Sequence, residues 1–398
     1  FLFKKKENKM IKNISKQVSK AIIEAIGKKK CSLHEPWFDK SEVKYLSTAI
    51  KKNSVSTYGK ETAKFENEIK KYTGSKYVCA LINGTSALHL SLYLADVKKG
   101  DEVLIPALNY IASSNATLYL GASPHFIDVE EKTLGPNVEK LDYYLSKTTR
   151  LIKGKCFNIK TKKIIKALVV THIFGHPSNL IDLIIISKKY KIKLIEDAAE
   201  GLGSFYNNQH LGTFGLMGIL SFNGNKIITT GGGGAILTNS KKIADKMNLI
   251  SRNSRHSHKW EYKYSELGFN YRMPSINAQL GLAQIKKLKK FIRLKRNLYL
   301  KYKSAFSKIS AIKLFKEPIN SRSNYWLQTI LLNKPSTVIQ KLILKDTNLL
   351  GFGTRPIWNL LNKNKHLKFC PSMNLDTAKN LEKRIINLPS GAKLCQKI

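Results

Sequence analysis

Three short stretches carry residues whose types and spacing suit chemistry. In Leu220-Ser221-Phe222-Asn223-Gly224-Asn225-Lys226, a lysine follows a strand-like segment and a turn, has no charged neighbour, and precedes Ile227-Ile228-Thr229-Thr230 and four glycines, Gly231 to Gly234. A single lysine in a Lys-rich chain is ordinarily solvated surface. One set among apolar residues is an amine able to form an imine with a carbonyl. The glycines permit close backbone approach to a bulky ligand. In Leu194-Ile195-Glu196-Asp197-Ala198-Ala199-Glu200, an apolar strand runs straight into carboxylates. An ionised Asp at a buried strand end is costly unless a cation meets it, either a lysine in a structural pair or a protonated ring nitrogen. In Asn83-Gly84-Thr85-Ser86-Ala87, Gly84 allows a tight turn, and Thr85 and Ser86 offer hydroxyls and N–H groups at the start of a helical pattern. That is an anion site suited to phosphate; a plain N-cap accounts for the same residues equally well.

These stretches need a scaffold that brings them together. Apolar, β-branched segments recur at 76–82, 102–106, 124–129, 166–171, 192–196, 218–222 and 235–238, mostly separated by helical patterns such as 86–95 and 180–190. Seven strands with crossover helices imply an α/β fold with a mostly parallel sheet covered on both faces. Ligands of such sheets sit at the carboxyl ends of the strands, and all three stretches lie there. Residues 11–30 have helical apolar spacing. From about Asn277 the character changes to long Lys-rich helices and short strands near 326–332, which reads as a smaller C-terminal α+β domain. The expected division is a helical segment 1–33, a large domain 34–276 and a small domain 277–398.

Composition narrows the function classes. The 398 residues are 42% hydrophobic and 24% charged, ordinary for a folded chain. No run reaches the ~20 apolar residues of a membrane span, and no apolar region follows the N-terminal charges as in a signal peptide. The chain begins with Phe1, and Met10 is a candidate start. Five scattered cysteines, none in a CxxC pair, disfavour a disulfide framework or zinc knuckle and suit a reducing cytoplasm. The net charge of +42 invites a nucleic-acid reading. Yet the excess is almost all Lys, spread evenly in a chain also rich in Ile and Asn, with no basic stripe interleaved with aromatics. Drift in base composition explains it better than a nucleic-acid partner.

Helix-anchored hydroxyls, a strand-end Asp and a lysine after a Ser-Phe strand, in that order, match the needs of pyridoxal phosphate (PLP): phosphate, pyridine nitrogen and aldehyde. The chain resembles the DegT/DnrJ/EryC1/StrS family of PLP-dependent sugar aminotransferases from about His34 to Pro389. The stretches that carry the resemblance are Asn83–Ala87, Gly100-Asp101-Glu102-Val103 with Pro106, Glu196–Glu200, Gly212-Thr213-Phe214-Gly215, Ser221–Gly234, Gly268–Pro274 and Leu388-Pro389-Ser390. His34-Glu35-Pro36 and Thr171–Pro177 resemble the branch that aminates nucleotide-linked 4-keto sugars for legionaminic-acid-type sugars. The resemblance implies the type I fold of aspartate aminotransferases, with catalysis by Lys226 and Asp197. It implies that Lys226 condenses with the cofactor aldehyde and that Asp197 meets the pyridine nitrogen. Tyr110 and Ala199 would flank the ring, and Gly84, Thr85, Ser86 and Ser221 would hold the phosphate. Asn270 would reach the phosphate of a neighbouring subunit, making a homodimer the catalytic unit. Glu200 stands where many members have Gln near the phenolic oxygen, and Gly232 where many have Glu. Some relatives replace the lysine with His and dehydrate; Lys226 favours transamination, with L-glutamate the implied donor.

Other signals are weaker. His172 and His176 are four apart, but Gly175 and Pro177 break any helix, so metal binding is not expected; His172 is expected to line the site. Arg255, in a basic loop with Arg252, His256 and His258, is either solvated surface or a grip on a nucleotide diphosphate. Arg355 is expected to bind a substrate carboxylate or the sugar nucleotide, a structural ion pair being the alternative. Gly201-Leu202-Gly203 lacks the third glycine of a dinucleotide fingerprint.

Overall fold

The computed structural model describes residues 2–57, 59–256 and 258–395. All seven expected strands form, at Tyr77–Leu81, Glu102–Pro106, Ser123–Ile127, Lys163–Thr171, Lys193–Asp197, Met217–Ser221 and Gly234–Thr238. They lie in one sheet in the spatial order first, seventh, sixth, fifth, fourth, second, third. Among these seven, Gly234–Thr238 alone runs antiparallel to its neighbours. Five-residue runs such as Glu102–Pro106 and Met217–Ser221 are buried throughout, as continuous apolar strands are when both sheet faces are covered.

Both edges of the sheet are blunted by passing chain. At one edge, Phe126 N donates to Pro371 O (2.8 Å) and Met373 N to Phe126 O (3.0 Å). At the other, Ile82 N donates to Tyr271 O (2.8 Å) and Met273 N to Ala80 O (3.2 Å). Such cover removes the unpaired N–H and C=O groups that would recruit a foreign strand. A hairpin not anticipated from sequence, Thr149–Ile152 with Lys155–Asn158, extends the sheet beside Lys163–Ile165. Its turn is Lys153-Gly154, with φ of 48° and 73°, the two-residue form whose twist matches the strands it joins.

A second core lies around the helix Leu2–Ile26. Ile14, Val18, Ala21, Ile22 and Ala25 form one helical face, packed with Leu298, Tyr302, Phe306, Ile343 and Ile386. This cluster includes a four-stranded antiparallel sheet, in the order Ile312–Leu314, Gln328–Leu332, Ile385–Leu388, Arg355–Pro356. The N-terminal helix is thus packed among C-terminal elements. The helix Leu288–Phe306 serves both cores: Leu288, Phe291 and Ile292 belong to the large-sheet core, Leu298 and Tyr302 to the second.

Candidate active site

Sheet register brings the first and third stretches together. Leu81 and Ser221 both pair with Gly234, one on each side. From Leu81 the chain turns through Asn83 into the helix Gly84–Leu94. A Cβ on Gly234 would lie 2.5 Å from Asn83 C and O, so only glycine admits this approach. The helix cap differs from the sequence expectation. Asn83, in extended conformation, is the N-cap and its side chain accepts from Ser86 N at 2.7 Å. The Ser86 amide is therefore already used, and Ser86 is buried in the first turn. Thr85 is half-buried. Gly84 and Thr85 N–H fall among the first-turn groups that have no partner within a helix. A Cβ on Gly84 would come within 3.2 Å of the Ser221 side chain, so a cradle exists where Gly84 faces Ser221.

The carboxylates after Lys193–Asp197 differ sharply. Glu196 is fully buried and satisfied, accepting from Gly212 N (2.8 Å), Phe214 N (2.7 Å), Gly215 N (2.7 Å) and His172 Nε2 (3.1 Å). That explains the Gly212–Gly215 motif as the donor loop for one carboxylate. Asp197 has only neutral donors, Ser113 Oγ (3.1 Å) and Ala199 N (3.2 Å). Burial pushes its carboxyl up from the ordinary value, opposed by the Ala199 amide, the Lys226 charge and the Ser113 hydroxyl. A buried acid with two neutral donors and no ion pair has room for a cationic N–H.

Lys226 follows a turn closed by its own N–H to Asn223 O at 2.9 Å. Its Nζ lies 3.2 Å from Glu200 Oε1 and 4.1 Å from the centroid of the Trp326 ring, with the side chain 14% exposed. Glu200 also accepts from Phe174 N at 2.7 Å, and burial raises its carboxyl against the pull of Lys226. Phe174 holds a left-handed backbone (φ 57°), a conformation costing about 1–3 kcal/mol outside glycine. A reachable amine, a carboxylate at hydrogen-bond range, a second acid lacking its cation and a glycine-lined helix start fit an aldehyde, pyridine nitrogen and phosphate on one ligand.

The other predicted residues divide. Tyr110 and Arg355 line a cleft of about 550 Å³ with Phe174, Trp326 and Trp358. Arg355 Nη1 donates to Asn348 Oδ1 (2.9 Å) and Thr354 O (2.8 Å), both neutral; among the described residues it forms no ion pair. A larger cavity, about 810 Å³, lies elsewhere among Lys71, Arg293 and Arg296, without the lysine–carboxylate set. His172, expected to line the site, lies behind the strand end that carries Asp197. It is fully buried, its Nδ1 accepts from Ser178 N (3.2 Å), and its Nε2 therefore donates to Glu196. It braces the strand ends instead, since its backbone N–H donates to Asp197 O at 3.1 Å. Asn270 is exposed, bridged to Arg252 beside the Leu81 edge. Arg255 packs its guanidinium 4.3 Å from the Tyr262 ring centroid.

Sequence reasoning missed Ser113, Trp326 and Asn324. Asn324 clamps the carboxylate turn, donating to Glu200 O (2.8 Å) and Leu202 O (2.9 Å) while accepting from Trp326 N (2.7 Å). No local pattern marks these three, because each reaches the site from far along the chain.

The model of the DegT/DnrJ/EryC1/StrS aminotransferase family matches residues 36–397. The chain is 33% identical over 299 residues to GDP-perosamine synthase of Escherichia coli O157:H7, covering 75% of this chain and 77% of that one. It is 30% identical over 357 residues to UDP-4-amino-4,6-dideoxy-N-acetyl-beta-L-altrosamine transaminase of Campylobacter jejuni (strain 81-176), covering 88% and 90%. Among solved structures, E. coli GDP-4-keto-6-deoxy-D-mannose-3-dehydratase with bound hydrated PLP superposes with a TM-score of 0.79 at 25% identity, covering 91% and 95%. The architecture is the type I fold that the resemblance led us to expect, built on the mostly parallel sheet that the strand pattern implied.

Proposed function

We propose that this chain, which belongs to the DegT/DnrJ/EryC1/StrS aminotransferase family, moves an amino group from an amino acid, L-glutamate, to a nucleotide-linked 4-keto sugar. The cofactor is pyridoxal phosphate. The observation that carries the reading is Lys226 Nζ at 3.2 Å from Glu200, near the buried Asp197, whose hydrogen-bond donors among the described residues are neutral. The names of relatives acting on GDP- and UDP-linked sugars support the substrate class.

Bound pyridoxal phosphate supplies an electron sink that makes a proton on the donor's α-carbon removable. Lys226 would hold the aldehyde, Asp197 the pyridine N–H, and Gly84, Thr85, Ser86 and Ser221 the phosphate. Tyr110 and Ala199 would flank the ring. With the donor bound, Lys226 Nζ would be the base at the α-carbon. Glu200 Oε1 accepts a hydrogen bond from that Nζ and so fixes where its lone pair points. Arg355 and Arg255 would bind the anionic parts of the substrates. Asn270 would serve the neighbouring subunit of a homodimer.

The large domain, 34–276, would carry the cofactor; the small domain, 277–398, with the segment 1–33, would close the cleft. The five cysteines, unpaired among the described residues, support a cytoplasmic location, and no described helix is long and apolar enough to cross a membrane. The motifs His34-Glu35-Pro36 and Thr171–Pro177 favour a role in legionaminic-acid-type glycan synthesis. The competing reading is a PLP-dependent dehydratase, because one structural neighbour is one; Lys226 argues against it. Purified protein given PLP, L-glutamate and a panel of GDP- and UDP-linked 4-keto sugars should yield an amino sugar and 2-oxoglutarate in equal amounts. Loss of water from the sugar without amine transfer would overturn the proposal.

A further inference from the structure

His34 is a half-buried titratable residue with no task in that mechanism. Both ring nitrogens are shielded from solvent, and neither has a hydrogen-bond partner among the described residues. An imidazole always carries at least one N–H, and burying such a group unpaired is costly. An unpaired group in a folded chain calls for a partner supplied from outside it.

The surroundings indicate what that partner is. The His34 ring centroid lies 6.3 Å from that of Trp326, whose face sits 4.1 Å from Lys226 Nζ. Its neighbour Leu33 lines the same cleft as Trp326 and Arg355, and Leu33 O is pinned by Ser390 N at 2.7 Å. Behind Trp326, Lys295 donates to the Trp326 carbonyl at 3.0 Å and to the Ser390 carbonyl, and forms no ion pair among the described residues. Burial holds the imidazole well below its ordinary value, and the charges of Lys295 and Lys226 push the same way. His34 is thus a neutral ring with the amines of Lys295 and Lys226 nearby, and its N–H can meet an incoming acceptor oxygen.

We propose that His34 is a substrate-recognition residue, its imidazole N–H donating to an anionic oxygen of the substrate in the cleft beside Lys226. The inference rests on the function proposed above. The oxygen comes from the donor carboxylate or from the sugar-nucleotide phosphate, and two probes separate these sources. Glutarate has the carboxylates without a transferable amine; UDP and GDP have the phosphates without the sugar.

The test measures the binding of each probe to the PLP-loaded protein by titration calorimetry, in wild type, His34→Phe and His34→Gln. In parallel, ¹⁵N-histidine NMR follows the nine ring systems. The expected result is a loss of at least tenfold for one probe in His34→Phe, substantial recovery in His34→Gln, and a shift of the His34 signal on adding that probe to wild type. Where Phe disturbs the fold, seen by circular dichroism, His34→Ala is read in the same way. Binding of all probes within twofold of wild type would overturn the inference while leaving the proposed function intact. If wild type binds none of the probes and transfers no amine, the function and the inference fall together.

Discussion

Lys226 and Lys295 approach the same residue from opposite sides, and the regions around them have opposite character. Lys226 lies over the Trp326 ring, its side chain 14% exposed, with Glu200 at 3.2 Å. Lys295 is fully buried on the helix Leu288–Phe306 and donates to the Trp326 carbonyl, with no ion pair among the described residues. Burial pushes the Lys295 amine down to about 7. A larger share of it than of an ordinary lysine is therefore the free amine. It is sealed, however, and its donors are spent on carbonyls. What makes an amine useful here is access and a nearby carboxylate. Around Lys295 the protein spends buried polarity on holding the chain together; around Lys226 it leaves a carboxylate and a helix start unfinished.

The largest expected effect breaks the active side of that pairing. Lys226→Ala should lower turnover by about 10²–10⁴-fold or more and abolish the visible absorbance of the bound cofactor. Retained turnover with the band intact would contradict the assignment. Asp197→Asn comes next, with a loss of about 10²-fold or more in activity. It should leave the cofactor-free protein at least as stable, because the native carboxyl is raised by burial and its ionised form is a cost. A group whose folded value is raised loses stability as pH rises through that value. Calorimetric melting of cofactor-free Asp197→Asn should lack that loss.

The structural side is sharpened by Lys295→Met. The wild-type amine is depressed in the folded state, to about 7 from 10.5. Between those values the unfolded chain binds more protons, so Lys295 makes stability rise with pH by up to ~1.4 kcal/mol per unit. Urea unfolding at pH 7.5 and 9 should show that rise in wild type and a smaller one in Lys295→Met, with the cofactor band unaltered. The smallest effect belongs to Trp326→Phe, which keeps a ring over Lys226 but loses the Nε1 bond to Asn225 O at 2.8 Å. One such bond is worth about 0.5–1.5 kcal/mol, so cofactor affinity should change by no more than about tenfold in an equilibrium titration.

How much was legible follows from the physics of each element. Doubly covered strands are continuous apolar runs, so all seven could be located, and their carboxyl ends pointed to Asp197 and Lys226 before any geometry. The hairpin at 149–158 escaped because its first strand is largely exposed and its signal is a two-residue Lys-Gly turn. Asn83 was overlooked as the cap because Thr85 and Ser86, equally good capping types, stand beside it. The packing of Leu2–Ile26 on C-terminal helices leaves only a one-faced apolar pattern, which does not say which surface receives it. The inward turn of the His172 side chain to Glu196 was not legible, because the sequence places the residue at the strand end without saying which way it points.

The most direct measurement is borohydride reduction of the PLP-loaded protein, followed by digestion and mass spectrometry of the lysines. The prediction is a single pyridoxyl adduct, on Lys226. An adduct on Lys295 or any other lysine, or none at all, would contradict it.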